Sequence, residues 1–497
     1  MKKFKILIVI LYLLVSVVLG GCKTNNEKEI FESVEQLDGH KMGCMSGSIF
    51  DALIKERFPN SEIIYFNSRS ELLLGLTSGK VDGFISDEPV ALMMLSNNDN
   101  VSYLDQEVGH VEYGICFSNE SLDKLEEFNK YLEKINNSGH LKQLQEKWIN
   151  KEATKQKKEE LVLNGNKGTI RCVTTPDAAP FSFIADNVFQ GFEVEIMTEF
   201  CHEYGYNLEI DTVAFDALLA SVATNKYDVA FNGIYITPER AKSVNFCTST
   251  YQGRDVVVIN KDGKSENKNF IDSIKDSFYK NFIEEDRYQL LLRGALTTLI
   301  ISLFSIILGT LYGLLLYILS SINIRFKKIA DFIQKLLAKL PAVVLLMLLF
   351  YVVFKTSTLN GAIVSIIGFT FLFAHVFYAL LKVGVSSIDY GQSEAAMALG
   401  YDRWVAFFHI ILPQALKTVR DSYLSEIISL IKNTSIVGYV SVSDVTRMSD
   451  IIRGRTYDAL FPLIVVAFIY YLLCSAVVAL IKIPIDAYIN KKVSYHD

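Results

Sequence analysis

The sequence predicts an α/β part followed by an all-α membrane domain of about five transmembrane helices. Composition changes sharply near Tyr288, because the residues before it are mixed and charged whereas the residues after it form long apolar stretches. The first part alternates short β-rich runs with helical patterns, which indicates an α/β fold. With 497 residues, of which 50% are hydrophobic, the chain is too long for one domain and too apolar to be wholly soluble.

Residues 1–22 have the layout of a secretory signal. Three of the first five residues are lysines, and an apolar run from Ile6 to Leu19 follows, which is short for a spanning helix. The run leads into a Leu-Gly-Gly-Cys sequence that resembles the bacterial lipobox, in which the cysteine, here Cys22, takes the lipid. An uncleaved anchor with an incidental cysteine is the alternative. In both cases we expect the segment that follows to be exported.

Charge and cysteine content exclude several classes of partner. The formal net charge is -6 and no basic block could track phosphates, so we expect no nucleic-acid partner. Of the seven cysteines, five remain outside the membrane when Cys22 and Cys474 are set aside, and none has CxxC spacing. A zinc site is therefore unsupported and no cofactor is expected. One disulfide is possible among the five, although scattered buried thiols are the interpretation we favour.

The predicted membrane domain, residues 290–485, contains five candidate spans, and we expect residues 486–497 to form a cytoplasmic tail. The candidates are residues 295–319, 340–354, 361–381, 422–440 and 460–481. The second is short and the fourth contains Glu426 and Lys432, so these two are the weakest. The loop after the first span is short and basic, which predicts that it is cytoplasmic and that the α/β part lies outside.

A patterned loop lies between the third and fourth spans. Glu394, Ala395 and Ala396 are followed after three residues by Gly400 and, after nine more, by an I-x-L-P-x-A run that contains Pro413. This resembles the EAA loop of bacterial ABC importer permeases, and every fixed position of that pattern is present. The resemblance implies a short helix, ended at Gly400, that fits a groove on a cytoplasmic partner.

Two further segments, 293–309 and 431–436, resemble the polar amino acid subgroup of these permeases, and the resemblance covers about 280–485. It implies a multi-pass protein of the bacterial cell membrane with a type I ABC importer fold. No G-x-x-x-x-G-K-[ST] motif occurs, so we expect the chain itself not to be an enzyme and a separate ATPase subunit to supply the energy. Five spans are too few for a closed pathway, so a second permease copy or a homologous partner is expected.

The exported part resembles a two-lobed receptor with its lobes in reversed order. Residues 168–260 resemble the first lobe of type II periplasmic amino-acid-binding proteins, on the segments 179–183, 191–196, 226–230, 237–241 and 244–246. Residues 34–149 resemble the second lobe with the C-terminal helices, on 37–48, 78–89 and 128–148. Residues 150–167 would then link the old C-terminus to the old N-terminus, and residues 261–289 would lead to the membrane. Domain termini often lie close together, which makes such a permutation feasible.

The resemblance also implies a site for the two charges of an α-amino acid. Such a ligand needs a fixed bidentate cation, a counter-carboxylate and backbone donors. By resemblance Arg240 binds the carboxylate, with support from Thr237 and from backbone N–H groups near Ser48, and Asp87 of the other lobe binds the ammonium. Each has a simpler alternative, since Arg240 could be a surface arginine at a helix start and Asp87 could be a helix cap.

The sequence departs from the family pattern where specificity is set. Phe215 and Gly233 complete the implied site, but Ala178 stands where an aromatic residue is usual. Tyr235 replaces a small hydroxyl residue, and Asn232 replaces alanine or serine. We therefore expect Tyr235 to fill the space that Ala178 vacates and to reshape the side-chain pocket. A modified ligand, or none, is the alternative.

Two other classes of protein compete with a transporter. A ligand-gated channel is suggested superficially by Ile436-Val437-Gly438-Tyr439, but a filter needs a pore loop after a short re-entrant helix. A signalling receptor without transport needs a cytoplasmic output domain, whereas few residues follow the last predicted span. The sequence thus favours import of a polar amino acid.

Overall fold

The computed structural model describes residues 31–493, apart from residues 262–274 and positions 99, 151, 186–187, 356, 358, 457 and 459. The predicted signal sequence and the lipidation site at Cys22 lie outside the described residues. Two parts follow each other along the chain: an α/β part that ends with a strand at Asn260 and a helical part whose first long helix begins at Tyr288.

The α/β part contains the following elements, in chain order. The strands are β1 Lys41–Met45, β2 Glu62–Phe66, β3 Gly83–Asp87, β4 Val101–Tyr113, β5 Cys116–Phe117, β6 Thr169–Thr174, β7 Asp177–Ala178, β8 Ser182–Ala185, β9 Val188–Gln190, β10 Asn207–Thr212, β11 Val229–Ala230, β12 Asn245–Phe246 and β13 Tyr251–Asn260. The helices are α1 Phe50–Arg57, α2 Arg69–Thr77, α3 Glu88–Asn97, α4 Leu122–Asn137, α5 His140–Trp148, α6 Phe192–Tyr204 and α7 Leu218–Ala223.

The second lobe is built on a five-stranded sheet in the order β2-β1-β3-β13-β4. Strands β1, β2 and β3 are parallel and are connected through α1 and α2, as parallel strands require a crossover. Every residue of β3 is buried, which fits a central strand that is covered on both faces. Asp87 is the last residue of β3, so its carboxylate lies at the carboxyl end of the strands, the edge at which open α/β sheets bind ligands.

The first lobe is built on a second sheet in the order β10-β6-β11-β5-β12. Strands β6 and β10 pair in parallel over six residue pairs. Helices α4, α5 and α6 cover one face of this sheet, where the rings of Phe128 and Phe200 meet edge to face with centroids 5.1 Å apart. Trp148, at the end of α5, is fully buried against the same core.

Each sheet takes a strand from the other half of the sequence. Strand β13 follows the first-lobe segment but pairs with β3 and β4 of the second lobe. Strand β5 follows the second-lobe segment but pairs with β11 and β12 of the first lobe. The lobes therefore do not coincide with the expected segments 34–149 and 168–260. Residues 116–148 belong to the first lobe, and β13 belongs to the second. The two halves form one interlocked unit.

The segment 150–167 runs along the surface of the first lobe. It contains a 3-10 turn, Ala153–Lys155, and otherwise no regular element among its described residues. The backbone N–H of Lys158 donates to Gln190 Oε1 at 2.7 Å, and that of Glu159 donates to Glu195 Oε1 at 2.8 Å. The linker is thus held to the lobe by backbone hydrogen bonds.

The cysteines of the described α/β part are unpaired and buried, at positions 44, 116, 172, 201 and 247. The disulfide that the sequence allowed is not formed. Within the described ranges, no group of three or more histidine, cysteine, aspartate or glutamate side chains could hold a metal ion.

From Tyr288 onward, the helical part contains nine α-helices in its described residues. They are α8 Tyr288–Ile322, α9 Ile324–Leu337, α10 Ala342–Leu348, α11 Gly361–Ser386, α12 Tyr390–Ala398, α13 Arg403–Ala406, α14 Leu412–Asn433, α15 Val445–Thr456 and α16 Leu460–Val493. Helix α16 ends at Val493 and so includes the first residues of the expected 486–497 tail.

Three of the described helices, α8, α11 and α16, are long and apolar enough to cross a membrane. A fourth crossing is possible if α9 and the helical stretch 342–353, which meet at a bend of 107°, count as one span. The two spans that the sequence marks as weak are the two that do not qualify as spans on their own. Residues 340–354 form α10 and a π-turn, and α14 is too charged to qualify, with Glu426 and Lys432 among its residues.

Helices α8 and α11 approach closely through two glycines one turn apart. A Cβ on Gly309 would lie 2.9 Å from the Phe373 Cβ, and a Cβ on Gly313 would lie 2.7 Å from the Ala374 carbonyl oxygen. Both distances are shorter than a van der Waals contact. Small residues at this spacing are the usual means of close helix packing in a membrane.

The stretch that superficially resembled a channel filter is a 3-10 helix, Thr434–Val440, that continues α14. Val437 and Val440 of this helix are fully buried, and Gly361 at the start of α11 packs against the Val440 carbonyl. A filter requires a row of carbonyls around an open pore. This stretch is instead part of the packed helical core.

Candidate functional site

The two charged residues expected to bind the ligand lie at the boundary between the lobes and contact the same residue. Asp87 ends β3 of the second lobe, and Arg240 begins a 3-10 turn of the first lobe, Arg240–Lys242. The Tyr235 hydroxyl lies 3.2 Å from Asp87 Oδ2. Arg240 Nη1 donates to the Tyr235 backbone carbonyl, also at 3.2 Å. The two charges therefore lie at opposite ends of one tyrosine.

Asp87 is buried, with 6% of its surface exposed, and its Oδ1 has no hydrogen-bond partner among the described residues. Burial raises the pKa of Asp87, and the positive charge of Arg69 and the Tyr235 hydroxyl oppose this effect. A buried acceptor without a partner is unfavourable by about 1–3 kcal/mol. A cationic ligand group at this position would remove that cost.

Arg240 is half-buried, and burial lowers the pKa of its guanidinium. Thr237 fixes the turn in which it lies, because Thr237 Oγ1 accepts a hydrogen bond from the Arg240 backbone N–H at 3.2 Å. The arginine side chain therefore starts from a defined backbone position. Its planar group of five N–H donors suits a carboxylate.

The loops that carry Ser48 and Phe215 are in contact at another part of the boundary between the lobes. Ser48 lies in the loop between β1 and α1, and Phe215 begins a 3-10 turn of the first lobe. A Cβ on Gly47 would lie 3.6 Å from the Asp216 Cβ, so these two loops are in contact. The Ser48 backbone N–H donates to the Met45 carbonyl at 3.1 Å. This donor, expected to support a ligand carboxylate, is already engaged within its own loop.

Gly233 has a φ of +61° and packs directly on an aromatic ring. A Cβ at this position would lie 2.6 Å from Phe181 Cδ2. Its N–H donates to Glu193 Oε2 at 2.8 Å, and burial raises the pKa of Glu193 to about 8. Because only glycine combines this backbone conformation with this space, Gly233 fixes the loop that presents Tyr235.

Asp255 belongs to the site and was missed by the sequence analysis. It lies directly opposite Asp87 in the antiparallel pair of β3 and β13, and its Oδ1 is 3.0 Å from the Tyr235 hydroxyl. Burial, followed by the nearby Asp87 charge, raises the pKa of Asp255 to about 7. A Cβ on Gly109 would lie 2.7 Å from Asp255 Oδ2, so this glycine leaves room for the carboxylate. The available signal was a charged residue immediately before the apolar run Val256–Ile259.

Tyr113 is a second missed residue. Its ring stacks on Phe181 with centroids 4.9 Å apart and meets the Tyr235 ring edge to face at 5.0 Å. Its hydroxyl is buried without a hydrogen-bond partner in the described part of the chain. The sequence analysis expects Tyr235 to fill the space that Ala178 vacates, and Tyr113 lies between the rings of Tyr235 and Phe181. The ring stacked on Phe181 comes from β4, at the point where the chain passes between the lobes.

Arg69 also lies at this boundary. It begins α2 of the second lobe and is buried, and its guanidinium carbon is 5.9 Å from the centroid of the Phe215 ring in the first lobe. This is a cation–π contact between the lobes. The cleft thus combines two carboxylates, Asp87 and Asp255, with two guanidinium groups, those of Arg69 and Arg240.

Helix α15 of the membrane domain contacts both lobes. Arg453 Nη2 donates to Glu71 Oε1 of the second lobe at 2.9 Å. Arg447, less than two turns earlier on the same helix, donates to the Val213 carbonyl of the first lobe. A helix fixed to both lobes is placed to respond to their relative movement.

The first lobe makes further contacts with the membrane domain. Lys226 Nζ donates to the carbonyl of Phe354 at 3.0 Å and to that of Ser357 at 3.2 Å. The Tyr227 hydroxyl donates to Ser441 Oγ at 2.6 Å. These contacts seat the receptor on the end of the helical domain that carries α15.

The EAA segment forms α12, which is capped at its start by Asp389 and followed by Gly400 at a φ of +89°. Ala396 is buried, while Glu394 and Ala395 are exposed. Pro413 lies in the first turn of α14, where its missing N–H is tolerated. Several large apolar residues around α12 are also exposed, namely Tyr390, Met397, Leu399 and Tyr401.

Comparison with known protein families gives two matches. The profile of "Bacterial extracellular solute-binding proteins, family 3" matches residues 170–370, and that of "Binding-protein-dependent transport system inner membrane component" matches residues 303–484. Residues 303–370 lie in α8 to α11, so the α/β fold accounts for the first match only as far as Asn260. Residues 34–149 lie outside both matched ranges.

Curated relatives match rather more than a third of the chain. A putative glutamine transport system permease protein of Rickettsia typhi is 29% identical over 39% of this chain and 90% of its own length. An arginine transport system permease protein of Bacillus subtilis is 31% identical over 37% of this chain and 85% of its own length. Among solved structures, an amino acid ABC transporter crystallised with histidines is 24% identical, with a TM-score of 0.37, over 43% of this chain and 98% of that one. The chain belongs to the family of inner membrane components of binding-protein-dependent (ABC) transport systems, and it carries its own two-lobed α/β domain of solute-binding type.

Proposed function

We propose that the chain is the receptor and permease of an importer for a polar amino acid, powered by a separate cytoplasmic ATPase. The observation that carries the substrate class is the placement of Arg240 and Asp87. Both bind the single residue Tyr235, one at its carbonyl and one at its hydroxyl. The two groups carry opposite charges and come from different lobes, as a small zwitterionic ligand held between the lobes requires.

The chemistry at each end supports the same class. Arg240 offers several N–H donors to a carboxylate, and Asp87 with Asp255 offers carboxylate oxygens to an ammonium group. Asp87 belongs to the second lobe and Arg240 to the first, so a ligand that binds both favours the closed arrangement of the lobes. Two relatives, a putative glutamine permease and an arginine permease, agree with an amino acid substrate.

We propose that α15 transmits closure to the permease and that α12 transmits it to the ATPase. Arg453 and Arg447 fix α15 to different lobes, so a change in lobe separation moves or strains this helix. At the other end of the domain, the exposed apolar residues around α12 supply a surface for a partner protein. Two copies of the chain, with two ATPase subunits, would enclose one pathway, because so few spans cannot do so alone.

The test is uptake by the full chain reconstituted with its ATPase subunit in proteoliposomes. We expect uptake of one or a few labelled polar amino acids, dependent on ATP hydrolysis at the α12 side. The control is the same vesicle with a non-hydrolysable ATP analogue. A ligand-evoked ion current from the chain alone, or uptake that is independent of ATP, would contradict the proposal.

A further inference from the structure

Tyr235 contacts both kinds of charged group that are expected to bind the ligand. Its hydroxyl lies within hydrogen-bond distance of Asp87 and Asp255 of the second lobe, and its carbonyl accepts from Arg240 of the first lobe. The residue itself belongs to the first lobe, where its loop is fixed by Gly233. Its side chain therefore crosses the cleft and joins the lobes where a ligand would join them.

We propose that Tyr235 is a built-in substitute for the ligand, which holds the receptor closed when the site is empty and must leave before the ligand binds. The inference rests on the proposed function for the identity of the competing ligand, but the contact between the lobes is independent of it. Tyr235 thereby sets specificity, because only a ligand that binds the carboxylates better than a phenol displaces it.

The hydrogen-bond capacity of a phenol explains why an amino acid can win this competition. A tyrosine hydroxyl has one proton to donate, whereas an ammonium group has three and carries a charge. Two buried carboxylates face the one Tyr235 hydroxyl, and Asp87 Oδ1 and Asp255 Oδ2 have no partner among the described residues. An ammonium group can serve both carboxylates, which the tyrosine cannot.

The rings around Tyr235 show how it is retained in the absence of a ligand. Phe50 of the second lobe meets the Tyr235 ring edge to face at 5.7 Å, and Tyr113 does so at 5.0 Å. Tyr113 also forms an antiparallel bridge with the Tyr235 backbone. Aromatic pairs of this kind add about 0.5–1.5 kcal/mol beyond burial. Ring packing and hydrogen bonds thus act in the same direction, toward closure.

The first experiment measures the distance between the lobes in the ligand-free full chain, in lipid nanodiscs. Spin labels are placed at two exposed positions, Glu62→Cys on the second lobe and Lys130→Cys on the first, in a Cys474→Ser background. We expect one short distance in the otherwise native chain and a longer, broader distribution with Tyr235→Ser. Tyr235→Phe keeps the ring packing and removes only the hydroxyl, so it should open the lobes to a smaller extent.

The matched control is Tyr206→Phe. Tyr206 also donates to a carboxylate, Glu127, at 2.9 Å, but both residues belong to the first lobe. Its removal should leave the distance between the lobes unchanged. An open ligand-free native chain, or Tyr235 variants that stay as closed as the native chain, would overturn the proposal.

The second experiment titrates the same proteins with L-glutamine and L-arginine by calorimetry. Loss of the tyrosine competitor should tighten binding of the preferred amino acid by about tenfold or more in Tyr235→Ser. Equal affinity in the native chain and both Tyr235 variants would overturn the proposal. If neither amino acid binds any variant while the lobes still open, the tyrosine contact stands and the proposed substrate class fails.

Discussion

Arg453 of the membrane domain and Glu71 of the second lobe form an ion pair with 2.9 Å between Nη2 and Oε1. The Arg453 side chain is almost wholly buried and that of Glu71 is 34% exposed, so solvent screens the pair only in part. Arg453 also binds Asp450 on its own helix at 3.0 Å, which orients the guanidinium toward the lobe. The second lobe, which the proposed closure moves relative to the first, is thereby attached to a helix of the permease.

Breaking this pair should uncouple transport from ligand binding. We expect Glu71→Ala to reduce ligand-stimulated ATP hydrolysis by roughly tenfold, equivalent to about 1.4 kcal/mol of coupling free energy, with ligand affinity nearly unchanged. The charge exchange Glu71→Arg with Arg453→Glu should recover part of the stimulation. Lys130→Ala, which removes an exposed ion pair within α4 of the first lobe, is the control. Loss of ligand affinity equal to the loss of stimulation would assign Glu71 to the binding site instead.

The double change Glu394→Lys with Gly400→Pro should abolish uptake and leave ligand binding intact. Proline fixes φ near -65°, whereas Gly400 has a φ of +89°, so the turn after α12 cannot form. The measurements are uptake by vesicles and calorimetry on the same preparation. Gln392→Ala, on the exposed face of the same helix, should retain most of the activity. If binding disappears along with uptake, α12 has a structural role and the coupling assignment is wrong.

Loss of either charge in the cleft should be severe. Asp87→Asn leaves a ligand ammonium with Asp255 alone, which is partly protonated at neutral pH because burial raises its pKa to about 7. Arg240→Ala leaves a ligand carboxylate unpaired in a half-buried site. Each should weaken binding by about a hundredfold or more, because an unpaired desolvated charge costs several kcal/mol. Calorimetry on the full chain checks this, with the exposed Asp105→Asn as the control. Binding that survives both substitutions would place the ligand elsewhere.

The features that could be predicted from the sequence are those that depend on a few neighbouring residues. The EAA pattern predicted a helix that ends at Gly400, and α12 with its positive φ agrees, because a helix end is decided by a few neighbouring residues. The weakness of the second and fourth spans was likewise visible, in the short length of one and in Glu426 of the other.

The missed features depend on contacts between distant segments. Asp255 faces Asp87 only because β13 crosses into the second lobe, and these residues are far apart in sequence. Tyr113 reaches Phe181 for a similar reason, since β4 ends where the chain passes between the lobes. The hydrophobic periodicity of either segment does not predict such a pairing, because the pairing depends on the order of the strands in the sheet. Tyr235 was recognised as unusual, but its partners could not be named without that order.

Stability should fall as the pH rises from about 4 to 7. Asp255 is buried with a pKa raised to about 7, so the folded chain holds a proton that the unfolded chain releases near its ordinary value of 3.8. Stability from this proton is fully present below the unfolded value and is lost as the pH passes through 7, with at most about 4 kcal/mol involved. Glu193, with a pKa near 8, acts in the same direction.

Asp255→Asn should therefore raise the melting temperature of the ligand-free chain at pH 8 and reduce its difference from pH 5. Intrinsic fluorescence on heating measures both values. Part of the pH dependence should persist because Glu193 remains. Asp105→Asn, at an exposed position, should change neither value. An unchanged pH dependence in Asp255→Asn would mean that Asp255 is ionised in the folded chain at neutral pH.

Cutting the linker should leave the receptor assembled. Strand β5 and helices α4 and α5, which precede the linker, complete the first lobe, and β13, which follows it, completes the second. A protease site inserted after the exposed Val162 should be cut readily, yet the N-terminal fragment should remain bound to the C-terminal one through these shared sheets. We expect both fragments to elute together from an affinity tag at the C-terminus in mild detergent and to separate only in denaturant, with ligand affinity within about twofold of the uncut chain. Separation of the fragments under native conditions would show that the two halves fold as independent units, and the single permuted receptor would have to be abandoned.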